Sequence, residues 1–316
     1  MRSFKAICDS VSRLPMFIGD ENNAIFARHL VQETLKELFR QEYTKTKWAS
    51  GELMPINTSV NEGVREYSYL ELGQAGEADI VADNATDIPS STITGDLTVH
   101  KVHTVACTFE YSTQDVRSAK LQGMFDIAQE KAAAAREAHD QKINNLIRVG
   151  SPSAGLEGFT NHTGIIVQPA VVGTWLAATA AQIVSDFSTA AAFIVTNSLD
   201  VEAPTAAVFP VDIFTRISTL QNSVASDITV LDFLKKAWPE IVVWTSDSGM
   251  ATAGAGGTRA VMIYDRNPRK ARAVMPMVLR PMAPEQHGLT FKVVLESRFG
   301  GVMTPRPLAT LRLDGV

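Results

Sequence analysis

Cysteine is nearly missing: Cys8 and Cys107 are the only two in 316 residues. That is too few for a disulfide scaffold, and it suits a reducing cytoplasm. No apolar run approaches the roughly 20 residues of a membrane span, and the N-terminal MRSFKAICDSVSRLPMF lacks the apolar centre of a signal peptide. The Asn-x-Ser/Thr matches at Asn57, Asn84 and Asn161 therefore carry no glycosylation meaning. A basic excess is missing too. A formal charge of −5 argues against a chain whose main task is to grip nucleic acid, although it allows life beside it. Lysine is absent between Lys47 and Lys101.

The residue patterns of catalysis and ligation are also absent. The histidines His29, His100, His103, His139, His162 and His287 show no HExxH or Cys/His ligand spacing. On a single strand through 97–111, His100 and His103 would lie on opposite faces. No Gly-x-Ser-x-Gly elbow occurs, and nothing pairs two carboxylates for acid–base work. The run GAGGT at 254–258 is followed by Arg259 and a strand pattern, without the lysine and helix of a phosphate loop. It reads as a surface loop. No enzyme activity, metal or cofactor is expected, and an α/β ligand-binding enzyme using 249–258 is the weakest alternative.

What is present is ordinary globular composition, 45% hydrophobic and 20% charged, enough for a sizeable core. Residues 1–22 read as an arm, followed by an amphipathic helix in NNAIFARHLVQETLKELFRQEY. VREYSYLEL (64–72) and LTVHKVHTVACTFEY (97–111) read as two long strands of one antiparallel pair. The connection between them is far longer than the 2–5 residues of an ordinary hairpin loop. It carries Glu77, Asp79, Asp83 and Asp87 with Ile80, Val81 and Ile88, and no lysine or arginine. Such a loop suits packing on a partner.

Residues 113–150 are the strongest helical signal. They are rich in Ala, Gln, Glu, Lys and Arg, with a narrow stripe of Leu121, Phe125, Ala128, Ala132, Ala135, Ile143 and Leu146. Beyond Pro152 the texture is a compact α/β mixture. Helices are expected in AATAAQIVSDFSTAAAFIVTNSL and DITVLDFLKKAWP. TAAVFPVDIFTRI reads as a strand with a following turn, EIVVWTSD as a buried strand, and AVMIYDR as another strand. ARAVMPMVL, LTFKVVLESRFGGV and LATLRLDGV close the chain as strand-like runs. One basic cluster, Arg266, Arg269, Lys270 and Arg272, reads as a solvated turn or an inter-subunit contact more readily than as a surface facing DNA phosphates.

This order of elements resembles the major capsid proteins of tailed bacteriophages, the HK97-type fold. The end of the chain is similar to one such family at Tyr264-Asp265, Pro276, Arg298, Gly300-Gly301-Val302 and Arg306-Pro307-Leu308-Ala309. The early FTNHTGI resembles the loop that opens the axial lobe. The resemblance implies an α+β capsid fold with an N-terminal arm and helix in 1–48, an extended loop in 60–110, and an axial domain in 151–260. A peripheral domain with a spine helix would take 111–150 and 261–316. It implies a shell of hexamers and pentamers enclosing DNA, built in the host cytoplasm with separate scaffolding, portal and cement or decoration proteins, and no membrane. Glu77, Asp79, Ile80, Val81, Asp83, Asp87 and Ile88 would then touch a neighbouring subunit. A crosslink through an extended-loop lysine is not expected, and any scaffold is expected to be a separate protein or a segment removed before this numbering begins. An encapsulin-like nanocompartment shell of the same fold is the alternative.

Overall fold

The computed structural model describes residues 44–316 apart from 77, 79, 81–89, 123–126 and 224–226. The arm and first helix expected in 1–43 lie outside the described residues.

The lobe after Pro152 is organised by a five-stranded mixed sheet in the order Ile166–Pro169, Thr310–Asp314, Ala260–Tyr264, Ala206–Phe209, Val243–Ser246. Of its central strands, Ala206–Phe209 and Ala260–Tyr264 read as continuous apolar runs because both faces are covered, whereas Thr310–Asp314 alternates and buries Arg312 and Asp314 as an ion pair. Ala207, Phe209, Val261, Ile263, Leu311 and Leu313 pack under the helices Ala180–Asn197, Val211–Thr219 and Val230–Ala237. Ala206, Val208, Ala260, Met262 and Tyr264 face a second core shared with Trp48, Ile143, Leu146, Ile147, Phe159 and Phe299. The two-residue period of the strands thus serves two cores at once.

Three expectations need correction here. The segment after Phe209 is a helix, not a turn: Pro210 caps nine residues, Val211–Thr219, whose Ile213 and Ile217 are buried one turn apart. The strand at 243–246 is half-buried, since it forms an edge of the sheet. The closing strands also do not stay together. Ala260–Tyr264 and Thr310–Asp314 enter the lobe sheet, whereas Thr290–Phe299 pairs elsewhere, so segments 151–260 and 261–316 share one sheet.

The long helical signal appears as Thr113–Gln122 and Ile127–Arg148, with Gly123 among the four residues between them that lie outside the described set. The second helix buries Ala135, His139, Ile143 and Ile147, a strict four-residue stripe, together with Leu146. Part of the expected stripe is there, but its centre is a histidine. His139 Nε2 lies 2.6 Å from Ser297 Oγ on the sheet beneath. The helix stops at Gly150, which has φ +76° and a position where a Cβ would sit 2.4 Å from the Leu156 carbonyl oxygen. Only glycine fits there.

The 97–111 run is two strands. Thr92–Lys101 pairs with Glu66–Ala75 along ten residues, and His103–Ser112 pairs with Thr290–Phe299 along ten more. The break falls at buried Val102, whose amide donates to the Arg65 carbonyl at 2.8 Å. His100 and His103 therefore belong to different sheets, and the antiparallel hairpin is 66–75 with 92–101.

Candidate inter-subunit surface

Among the described residues, the hairpin stem is joined to the body near its base. Tyr67 donates from its hydroxyl to the Gly300 carbonyl at 2.9 Å, and a Cβ on Gly300 would stand 2.8 Å from the Tyr67 ring. Gly300 is thus the seat for the stem. Burial holds the Tyr67 hydroxyl well above the usual tyrosine range, and burial followed by the Glu71 charge pushes Tyr69 up to about 12. His100 stacks on both rings, with centroids 5.3 Å from Tyr67 and 5.6 Å from Tyr69.

Directly opposed residues of an antiparallel pair share a face. The register Ser68↔Val99, Leu70↔Leu97, Leu72↔Gly95 and Gln74↔Ile93 therefore gathers Leu70, Leu72, Ile93, Leu97 and Val99 on one side. All five are open to solvent, from 55% exposure at Val99 to 66% at Ile93. The stem pairs with no further strand among the described residues, so both of its edges are unpaired as well. A two-stranded ribbon of this kind is marginal alone in water. A contiguous apolar face left open to solvent is the kind of patch by which proteins meet partners, ligands or membranes. Of the extended-loop residues expected to contact a neighbour, Ile80 is described and almost fully exposed. Glu77, Asp79, Val81, Asp83, Asp87 and Ile88 lie outside the described residues. The stem leucines are not among the expected contacts. Their alternation marks a strand, and nothing in it says which face lacks a cover.

The four basic residues at 266–272 do not converge on a surface. Arg266 donates to the Gly51 carbonyl at 2.8 Å, and Arg272 contacts Met303 Sδ at 3.4 Å. Lys270 sits between Asp265, at 2.5 Å, and Glu202, which Arg306 also reaches at 3.0 Å. Burial works to lower the Lys270 pKa, but hydrogen bonds and charges from Asp265 and Glu202 outweigh it and raise it. Only Arg269 of the four is exposed. Three of these cations are occupied within the subunit, which speaks against the cluster as a docking or DNA-facing patch.

The same contacts give the sequence motif a physical reading. Tyr264 donates to the Leu53 carbonyl at 2.6 Å, Arg298 reaches the Glu62 carbonyl, and Arg306 holds Glu202. Each ties a remote segment to the closing strands. The glycine run at 254–258 winds through short 3-10 turns into the strand Ala260–Tyr264, and the Ala255 amide donates to the Asp314 carboxylate at 3.1 Å. An acid therefore occupies an amide that a phosphate would need. Among the described residues, no group of three or more His, Cys, Asp or Glu side chains is placed to hold a metal, and no helix is long and apolar enough to cross a membrane.

Comparison with known proteins gives one consistent answer. A family model described as "Major capsid protein" matches residues 76–316. No curated protein matches the sequence. Among solved structures, the capsid of Myoviridae phage XM1 aligns with a TM-score of 0.80 at 18% identity, covering 92% of this chain and 98% of that one. A chain of Microbacterium phage Oxtober96 aligns with a TM-score of 0.64 at 12% identity, over 94% of this chain and 99% of that one. A virus-like particle from Pyrococcus furiosus aligns less closely, with a TM-score of 0.52 at 10% identity over 83% and 90% of the two chains.

Proposed function

Since the chain belongs to the major capsid protein family, whose members build a head shell, we propose that the hairpin Glu66–Lys101 is the arm by which one subunit holds the next. One observation carries this reading: five aliphatic side chains share a single face of a ribbon that nothing among the described residues covers. Fully burying one such side chain is worth roughly 1.5–3 kcal/mol. A few buried per arm, repeated over every subunit of a closed shell, would act multivalently. The acidic tip adds charge to the reach of the arm, with Glu77, Asp79, Asp83 and Asp87 seeking cations on the neighbour. Ile80, Val81 and Ile88 would add apolar contacts there.

Contacts of this type are heterologous: the arm of one copy meets a different surface of the next, and closure depends on the rotation between them. Hexamers and pentamers follow when the rotation closes. No lysine lies in the arm before Lys101, so the shell we propose is held without a covalent link through an arm lysine. The role is structural, with no catalysis. Assembly would take place in the host cytoplasm around a separate scaffold, with a portal at one vertex and decoration proteins added later. The packaged DNA would meet a subunit of negative net charge without being gripped. The closer alignment to phage capsids than to the archaeal virus-like particle favours the phage head over a nanocompartment.

Deleting residues 76–92 tests the arm. The expected product is a folded subunit, with the far-ultraviolet dichroism of the lobe intact, that forms no closed particles by electron microscopy. Normal shells from the deleted chain would overturn the reading.

A further inference from the structure

A cleft of about 790 Å³ runs beneath the stem. Its upper wall is the polar face of the hairpin, with Tyr69, Thr98 and His100, and its lower wall is formed by 153–157, 162–163 and 301–307. Two histidines occupy it from opposite walls. His100 is wedged against Tyr67 and Tyr69, and its buried Nε2 finds no hydrogen-bond partner among the described residues. His162 comes from the body, with its Nδ1 2.7 Å from the Thr163 carbonyl oxygen and 3.7 Å from Glu157 Oε2, and with Thr304 Oγ1 within 2.9–3.0 Å of both ring nitrogens. Glu157 is already engaged twice by Thr163, from the hydroxyl at 2.5 Å and from the amide at 2.9 Å.

We propose that this cleft is a proton-operated hinge: charging His100 and His162 together pushes the stem off the body and resets the angle at which the arm leaves the subunit. The proposal rests on the reading of the hairpin as a docking arm, and adds what would control its direction. The stem is suited to turning as a unit, because it has its own ten-pair ladder and meets the body only near its base. Two positive charges facing each other in one cleft repel, and a buried unpartnered Nε2 has no acceptor waiting for a second proton.

The neighbouring charges fix the sign. From the stem, Glu71 and Lys101 line the cleft, and Tyr67 and Tyr69 are held neutral. From the body come Glu157 and His162, with Arg272 near the tyrosines. Burial first, and then the charge on His162, lower the His100 pKa from its ordinary 6.5, with Glu157 opposing. Burial works to raise the Glu157 pKa, but the Thr163 hydrogen bonds and the histidine charges outweigh it, so Glu157 stays ionised. Its negative charge is shared with Thr163 and does not neutralise both imidazoles. The closed cleft therefore binds fewer protons than the open one. Closure is fully favoured above the ordinary histidine pKa and is lost progressively as the pH falls below it.

The hinge can be tested on the unassembled full chain, so that its failure is separate from any failure of docking. Spin labels would replace Asp96 on the stem and Ser153 on the body, with Cys8 and Cys107 changed to serine. The distance between labels should lengthen between pH 8 and pH 5, the open fraction rising on the order of tenfold per pH unit for each proton taken up. H100Q/H162Q should hold the pH 8 distance at both pH values. H162Q alone keeps the His100 stack on the tyrosines, and it should move the transition to lower pH. A distance that does not change with pH in the parent overturns the hinge, and so does the same acid lengthening in the double variant.

Discussion

The five-stranded sheet of the lobe and the two-stranded hairpin are both rich in aliphatic residues, yet they treat their apolar surface in opposite ways. In the lobe, alternate residues of Ala206–Phe209 and Ala260–Tyr264 enter two different cores, and every one of them is buried. The edges are guarded as well. Lys47 donates to the Ser246 carbonyl at 2.5 Å and to Thr245 Oγ1 at 2.9 Å along one edge strand, and Pro169 ends the other. Such devices stop a sheet from adding foreign strands. The hairpin has none of them along its stem. Among the described residues its edges are unpaired, its polar face sits over a cleft, and its apolar face is open. The lobe spends its apolar residues on the stability of one subunit, and the hairpin leaves its own exposed.

Substitutions should separate the two regions cleanly. The largest expected effect is in the lobe: Phe209→Ala removes a ring packed against Phe187, Phe214 and Trp244 and should cost about 3–5 kcal/mol in denaturant unfolding. Next comes Asp186→Ala, which strands the Trp175 indole N–H, bonded at 2.8 Å, and the Val171 amide, bonded at 3.2 Å. Leaving a buried donor unsatisfied should cost about 1–3 kcal/mol by the same measurement. At the junction, Gly300→Ala forces the Tyr67 ring aside and should cost about 1–3 kcal/mol as overpacking, visible as faster hydrogen exchange at the stem base. Arg269→Ala, on an exposed cation, should stay within about 0.5 kcal/mol. A large loss there would mean that the basic turn matters more than its contacts indicate.

Much of this contrast is legible in the amino-acid order itself. The lobe strands, the helix at 127–148 and the long excursion after Leu72 all carry strong local patterns. The failures have physical causes. Leu97, Val99, Val105, Cys107 and Phe109 keep one parity across Val102, so two strands in different sheets read as one, with no glycine or proline at the break. The helix Val211–Thr219 is short, and its proline signal sits beside a strand-like TAAVF. The basic turn looks available in the sequence because acids distant along the chain, such as Glu202, are invisible to local reading. The docking face is hidden for a similar reason. Alternation marks the leucines as one face of a strand, but whether that face is covered is a property of the whole fold.

The docking role proposed for the hairpin requires that the apolar face of the stem be surplus to the subunit and necessary to the shell. The direct measurement is Leu70→Ser/Leu97→Ser, followed by thermal melting of the subunit and electron microscopy of its assemblies. The predicted result is a melting temperature within about 2–4 °C of the parent, corresponding to no more than about 1 kcal/mol, with closed particles lost. Normal closed shells from this variant, or a subunit that unfolds, would contradict it.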